Sequence, residues 1–192
     1  YLHQEMYIDA IDELKSTCNL IKRKRKKARY YYIIAQIYQN KSNIKQSKKY
    51  FELVLDANPE YEMVFNAKMN LARTLRNKKD LNQMRDKLVK MINDEKNKDY
   101  LDQIYYTLGE MSVIEKDTVS AIENFTLSTK YSVDNDIQKS VSFLQLGKIH
   151  YNKSKYISSK TYYDSTILFM PENKRYFEES SKNHITLEEI IF

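Results

Sequence analysis

Four side chains carry the imidazole and thiol groups of this 192-residue chain: His3, Cys18, His150 and His184. A structural zinc site needs such ligands in closely spaced pairs, and these four are scattered, so no metal site is expected. A phosphate-cradling loop needs several glycines in a turn. The chain has two, Gly109 and Gly147, and both lie inside helical patterns. No nucleophile–base constellation stands out. The acidic pairs Glu178-Glu179 and Glu188-Glu189 read as exposed helix faces. Cys18 sits beside an inward helix face, and His150 falls where a packing aromatic would stand. The chain is therefore not expected to be an enzyme, and no catalytic residue or cofactor is assigned.

Binding chemistry is better represented. Lys and Arg outnumber Asp and Glu by 32 to 26, and much of the excess lies in Lys22-Arg23-Lys24-Arg25-Lys26-Lys27 with Arg29. Such a run can be a nuclear signal or a contact for nucleic acid, lipid or protein. It can also be a solvated helix end. Placed at the C-terminus of a helix over about 5–24, the cations would complement the dipole. No regular alternation of aromatic and basic residues follows, as a single-strand groove would require. The helix-end reading is preferred, and nucleic acid is not expected as a partner.

The elements that position these residues repeat. A small residue recurs as Ala35, Ala72, Gly109 and Gly147. A second column runs Ala10, Ser47, Met84, Ala121 and Ser159, and a third, four residues later, Leu14, Phe51, Leu88, Phe125 and Tyr163. All three share a period of 37 or 38 residues. A fixed period of this size predicts stacked helical hairpins. In residues 28–61, Tyr31, Ile34, Ala35 and Tyr38 face Ser47, Phe51 and Val54, with a turn at 40–43 and a stop at Asn58-Pro59. Later helices are expected near 61–77, 80–93, 98–115, 117–131, 136–152 and 154–169. Asn77-Lys78-Lys79-Asp80 reads as a turn, Asp117 or Thr118 as an N-cap, and 173–192 as a helix breaking near Asn183 with a Thr186–Glu189 capping box. Many of the 17 tyrosines, including Tyr31, Tyr38, Tyr105 and Tyr163, fall on inward phases.

Segments 28–61 and 140–173 carry the small-residue, aromatic and proline spacing of the tetratricopeptide repeat, and the chain resembles that family over nearly its whole length. The expected fold is an all-α, right-handed solenoid. It comprises one repeat array over 1–192: a half repeat 1–27, repeats from about 28, 65, 102 and 140, and a terminal segment 173–192. Both ends fall inside helical patterns, as in a fragment of a longer array. In such arrays the first helices line a concave groove. The usual phases put Arg29, Tyr32, Gln36 and Gln39 there, then Asn66, Met69, Arg73 and Arg76, then Gln103, Tyr106 and Glu110, and finally Leu144, Lys148 and Tyr151. Of these, Arg29, Tyr32, Gln36, Asn66, Arg73, Arg76, Gln103, Tyr106, Lys148 and Tyr151 are the candidate protein-binding residues. Their chemistry suits an extended polypeptide.

Three blocks narrow the resemblance. They are NPEYEMVFNAKMNLAR at 58–73, KNKDYLDQIYYTLGEM at 96–111, and the 135–170 segment with QKS, LGKIHY and YYDST. Together they are similar to the repeat region of the SprE/PorW group, tetratricopeptide lipoproteins of Bacteroidota tied to type IX secretion and gliding motility. The resemblance implies a non-enzymatic scaffold on the periplasmic side of the outer membrane, with other secretion or gliding components as partners. It also implies a lipid anchor outside this segment, since Cys18 lies within a repeat helix. Asp117-Thr118-Val119 resembles that phylum's O-glycosylation acceptor. The alternative is a generic tetratricopeptide adaptor, or the sensory domain of a cytoplasmic regulator, binding a peptide in its groove.

Overall fold

The computed structural model describes residues 2–171 and 175–191. Among them are ten α-helices, one 3-10 helix and no strand. The helices are α1 (Leu2–Leu20), α2 (Lys24–Asn40), α3 (Ile44–Asp56), α4 (Tyr61–Thr74), α5 (Lys78–Ile92), α6 (Leu101–Ile114), α7 (Thr118–Tyr131), α8 (Asp136–Asn152), α9 (Tyr156–Phe169) and α10 (Arg175–Ile191). The 3-10 turn Glu95–Tyr100 leads into α6. The protein is all-α and built from helical hairpins: α2 packs on α3, α6 on α7, and α8 on α9. Contacts cluster into two compact units, Tyr1–Leu81 and Asn82–Phe192.

In the first unit, the hairpin interface consists of the periodic columns. Ile34, Ala35, Ser47, Phe51 and Val54 have no solvent exposure. Ser47 Oγ donates to the carbonyl of Ala35 at 3.1 Å, which satisfies a hydroxyl that burial would otherwise penalise. The second unit repeats the device, with Ser159 Oγ donating to Gly147 O at 2.9 Å. A Cβ on Gly109 would come within 2.6 Å of Phe125, and one on Gly147 within 3.0 Å of Tyr163. Both glycines are present because a ring occupies the space a side chain would need. Cys18 is buried against the α1–α2 packing, and burial pushes its thiol up from the usual value despite nearby Lys27.

The hairpin turns share a register. Ser42, Lys116 and Ser154 each take a left-handed φ of 56 to 62°. Asn43 and Asp117 then cap α3 and α7 by accepting from Gln46 N and Ser120 N. Asn58 also enters the left-handed region, at φ 48°, which asparagine tolerates. That turn, and not only the restriction imposed by Pro59, ends α3.

Four expectations are corrected. Helix α1 ends at Leu20, and the basic run opens α2 instead of closing α1. The expected turn at 77–80 is the first turn of α5, where Asn77 Oδ1 accepts from Asp80 N at 2.9 Å. Helix α10 runs unbroken through Asn183. No capping box forms there, because Thr186 Oγ1 donates back to Lys182 O within the helix. The side chains of Ile190, Ile191 and Phe192 lie outside the described residues.

Candidate protein-binding site

Helix register decides which predicted groove residues are available. Tyr32, Met69, Tyr106 and Leu144 form one column, three residues before the small residue of each first helix. Three residues is nearly one helical turn, so the column shares the packing face. Met69, Tyr106 and Leu144 are buried, at 2%, 8% and 1% exposure. The Tyr32 ring meets Phe51 edge-on at 5.7 Å, and the Tyr106 ring tilts over Phe125 at 5.4 Å. Tyr106 is thus a core residue in a cluster with Ala121, Phe125 and Leu146, and its assignment to an open groove is corrected.

The two tyrosines share a second feature. Tyr32 OH accepts from Asn70 Nδ2 at 2.9 Å, and Tyr106 OH accepts from Gln145 Nε2 at 3.3 Å. Each hydroxyl therefore ties its first helix to the first helix of the following hairpin. Burial raises the Tyr32 hydroxyl above its ordinary value, while Arg73 and the Asn70 hydrogen bond act the other way. Residues 33 and 70 occupy one phase of the repeat, so the period alone offers no sign that Asn70 matters.

In the first unit, Arg29, Tyr32 and Asn66 come together. They line a cleft of about 630 Å³ between the first turns of α2 and α4, together with Arg23, Arg25 and Lys26 on one side and Pro59, Glu60, Glu62 and Met63 on the other. Gln36 is exposed on α2. Arg73 is half-buried and close enough to Tyr32 to bias its ionisation. Arg76 is exposed, and its Nη1 donates to Arg73 O and Leu75 O, both at 2.7 Å. It caps the carbonyl end of α4, which accounts for an arginine there without a ligand.

In the second unit, Gln103 is half-buried on α6, and its N–H is taken by Asp102 Oδ1 at 2.7 Å. Lys148 Nζ pairs with Glu179 of α10 at 2.6 Å. Tyr151 is exposed, its ring edge-on to Tyr156 at 5.7 Å. Lys148 and Tyr151 are thus anchors between helices as much as surface groups.

The residues missed were Arg23, Arg25 and Lys26. A signal for them existed: α2, α4 and α8 each begin eleven residues before their small residue, at 24, 61 and 136. Applied to Ala35, that register starts α2 inside the basic run.

Among the described residues, no three His, Cys, Asp or Glu side chains converge on a metal-binding group. His150 packs on Tyr162 at 5.1 Å, and burial lowers its pKa, with Lys155 and Lys153 acting the same way. His184 Nδ1 lies 2.5 Å from Asp164 Oδ1 but out of line for a hydrogen bond, within a charge cluster with Lys160 and Glu188. Asp117 is occupied as the α7 cap, and Ser120 holds its carboxyl below the usual range. No described helix is long and apolar enough to cross a membrane.

Residues 28–61 match the tetratricopeptide repeat family model. The matched segment spans most of α2 and all of α3, the hairpin that carries Arg29 and Tyr32. Among solved structures, a TPR repeats protein from Bacteroides fragilis aligns over 98% of this chain and 93% of its own, at 14% identity and a TM-score of 0.43. No curated protein matches the chain.

Proposed function

We propose that this chain is a non-enzymatic protein-interaction scaffold, and that it serves type IX secretion and gliding motility from the periplasmic side of the outer membrane. The scaffold reading rests on one observation: a helical hairpin of tetratricopeptide type presents Arg29 and Tyr32, opposite Asn66 of α4, on a cleft about 630 Å³ in volume. A cleft of that size takes a few side chains of a peptide, and its polar lining supplies backbone and carboxylate partners. The assignment to secretion rests on the three sequence blocks at 58–73, 96–111 and 135–170 and their similarity to the SprE/PorW group. The partners would be other components of that machine, and a membrane anchor would lie outside this segment.

Site-specific photocrosslinking from position 36, exposed beside the cleft, tests this in a gliding member of that phylum. Crosslinks to secretion or motility components are expected. Crosslinks confined to cytoplasmic proteins would overturn the placement, and no protein crosslinks from this or other exposed α2 and α4 positions would overturn the scaffold reading.

A further inference from the structure

We infer that the cleft between α2 and α4 receives side-chain carboxylates of an extended acidic peptide, an inference that rests on the scaffold reading and names its partner chemistry. Four cations, Arg23, Arg25, Lys26 and Arg29, converge on one side of the cleft. Their placement is unfavourable by itself. They crowd charges of one sign, and three of the four stand at or just before the positive end of α2, whose first turn holds no acid. The N-cap residue Arg23 offers no side-chain acceptor to the first turn. A carboxylate in the cleft would relieve both the mutual repulsion and the unfavourable alignment with the dipole.

The opposite rim identifies the class of anion. Glu60 and Glu62 stand there, and Glu60 Oε1 is 3.5 Å from Arg25 Nη2. Both partners are largely exposed, so the pair is weak and an incoming carboxylate can displace it. A continuous polyanion such as nucleic acid would meet both glutamates along its length and be repelled. A peptide can space its carboxylates to meet the arginines and set neutral residues beside the glutamates. Tyr32 adds a half-buried ring whose hydroxyl is already held by Asn70, a fixed floor for an apolar or neutral side chain. Arginine's planar fork suits carboxylate recognition better than a point charge would.

The test is fluorescence anisotropy of the full chain with a labelled peptide alternating Glu with Gly and Ser, and with its Glu→Gln counterpart. The acidic peptide is expected to bind at least about tenfold more tightly, the effect of one charge-assisted contact. Arg25→Glu with Arg29→Glu should abolish that preference while leaving the circular dichroism unchanged, since both side chains are exposed. Glu60→Gln should strengthen binding severalfold by freeing Arg25, and this variant removes no cation on which folding could depend. Equal binding of the two peptides, or no effect of either variant, would overturn the inference. Tighter binding to a single-stranded oligonucleotide or to phosphatidylglycerol vesicles, or displacement of the peptide by inorganic phosphate at matched ionic strength, would also overturn it. A random peptide display selection separates the two layers. Non-acidic peptides whose binding survives the double variant would remove the carboxylate site and keep the scaffold; no selected peptide and no bound probe would remove both.

Discussion

Asp102 is a carboxylate with 3% exposure, held by Asn135 Nδ2 at 2.9 Å and more loosely by Ser132 Oγ at 3.4 Å. Burial raises its pKa, and the hydrogen bonds from Gln103 N–H, Asn135 and Ser132 only partly offset that. A carboxyl whose folded value is raised contributes stability when protonated and loses it as pH rises through the folded value. Denaturant midpoints should therefore show the wild type gaining on Asp102→Asn as pH falls from neutral into the mildly acidic range. A constant difference between the two proteins would contradict this. The glycines make a second test at the same scale. Replacing Gly109 by Ala drives a methyl into the fully buried Phe125 ring, a clash costing about 1–3 kcal/mol against roughly 1 kcal/mol of helix propensity gained. At Gly147 the approach to Tyr163 is looser. Urea denaturation should rank Gly109→Ala as the more damaging, with Gly147→Ala close to neutral.

Helix ends carry the next level of specificity. Asn135 caps α8 by accepting from Gln138 N at 3.1 Å while its amide holds Asp102 of α6. Asn135→Ala should cost about 1 kcal/mol for the cap and a further 1–3 kcal/mol for the under-paired carboxylate, more than an ordinary cap substitution. Phe125 joins α7 to the faces of α6 and α8, so Phe125→Ala should cost about 3–5 kcal/mol and accelerate hydrogen exchange first in α6, α7 and α8. The hairpins themselves were legible because small-residue and ring columns repeat with one period, and tight packing permits few substitutes there. Three features were not legible. Local composition drew α1 four residues too far, because a basic run suits a helix C-terminus equally well. Tyr106 falls in the groove by repeat phase, although its column lies one turn from the close-packed residue and the ring is buried. Asn70 and Gln145 matter through hydroxyls contributed by the preceding hairpin, a relation that no local pattern displays.

At the scale of the whole chain, the repeat distributes charge as well as bulk. Lys48 and Arg85 occupy one phase, one residue after the small residue of the second helix, and pair with Asp80 and Glu115. Lys160 shares that phase and meets Asp164 and Glu188. These cations are engaged in links between successive elements. The cations at the start of α2 have as their one described acidic partner Glu60, exposed on the rim of the cleft. Much of the formal net charge of +6 therefore comes from a segment whose charge the helical framework does not use, and binding there should weaken as salt is raised. The first-turn amides of a helix have no acceptor four residues back within it, and in α2 Lys26 N turns instead to Arg23 O at 3.0 Å, so exchange at the start of α2 reports on an occupant. The most direct measurement is amide hydrogen exchange of the full chain with and without saturating acidic peptide. Slowed exchange at the start of α2 and across the first turn of α4 is the predicted result; slowing confined to residues 82–192 would contradict the account.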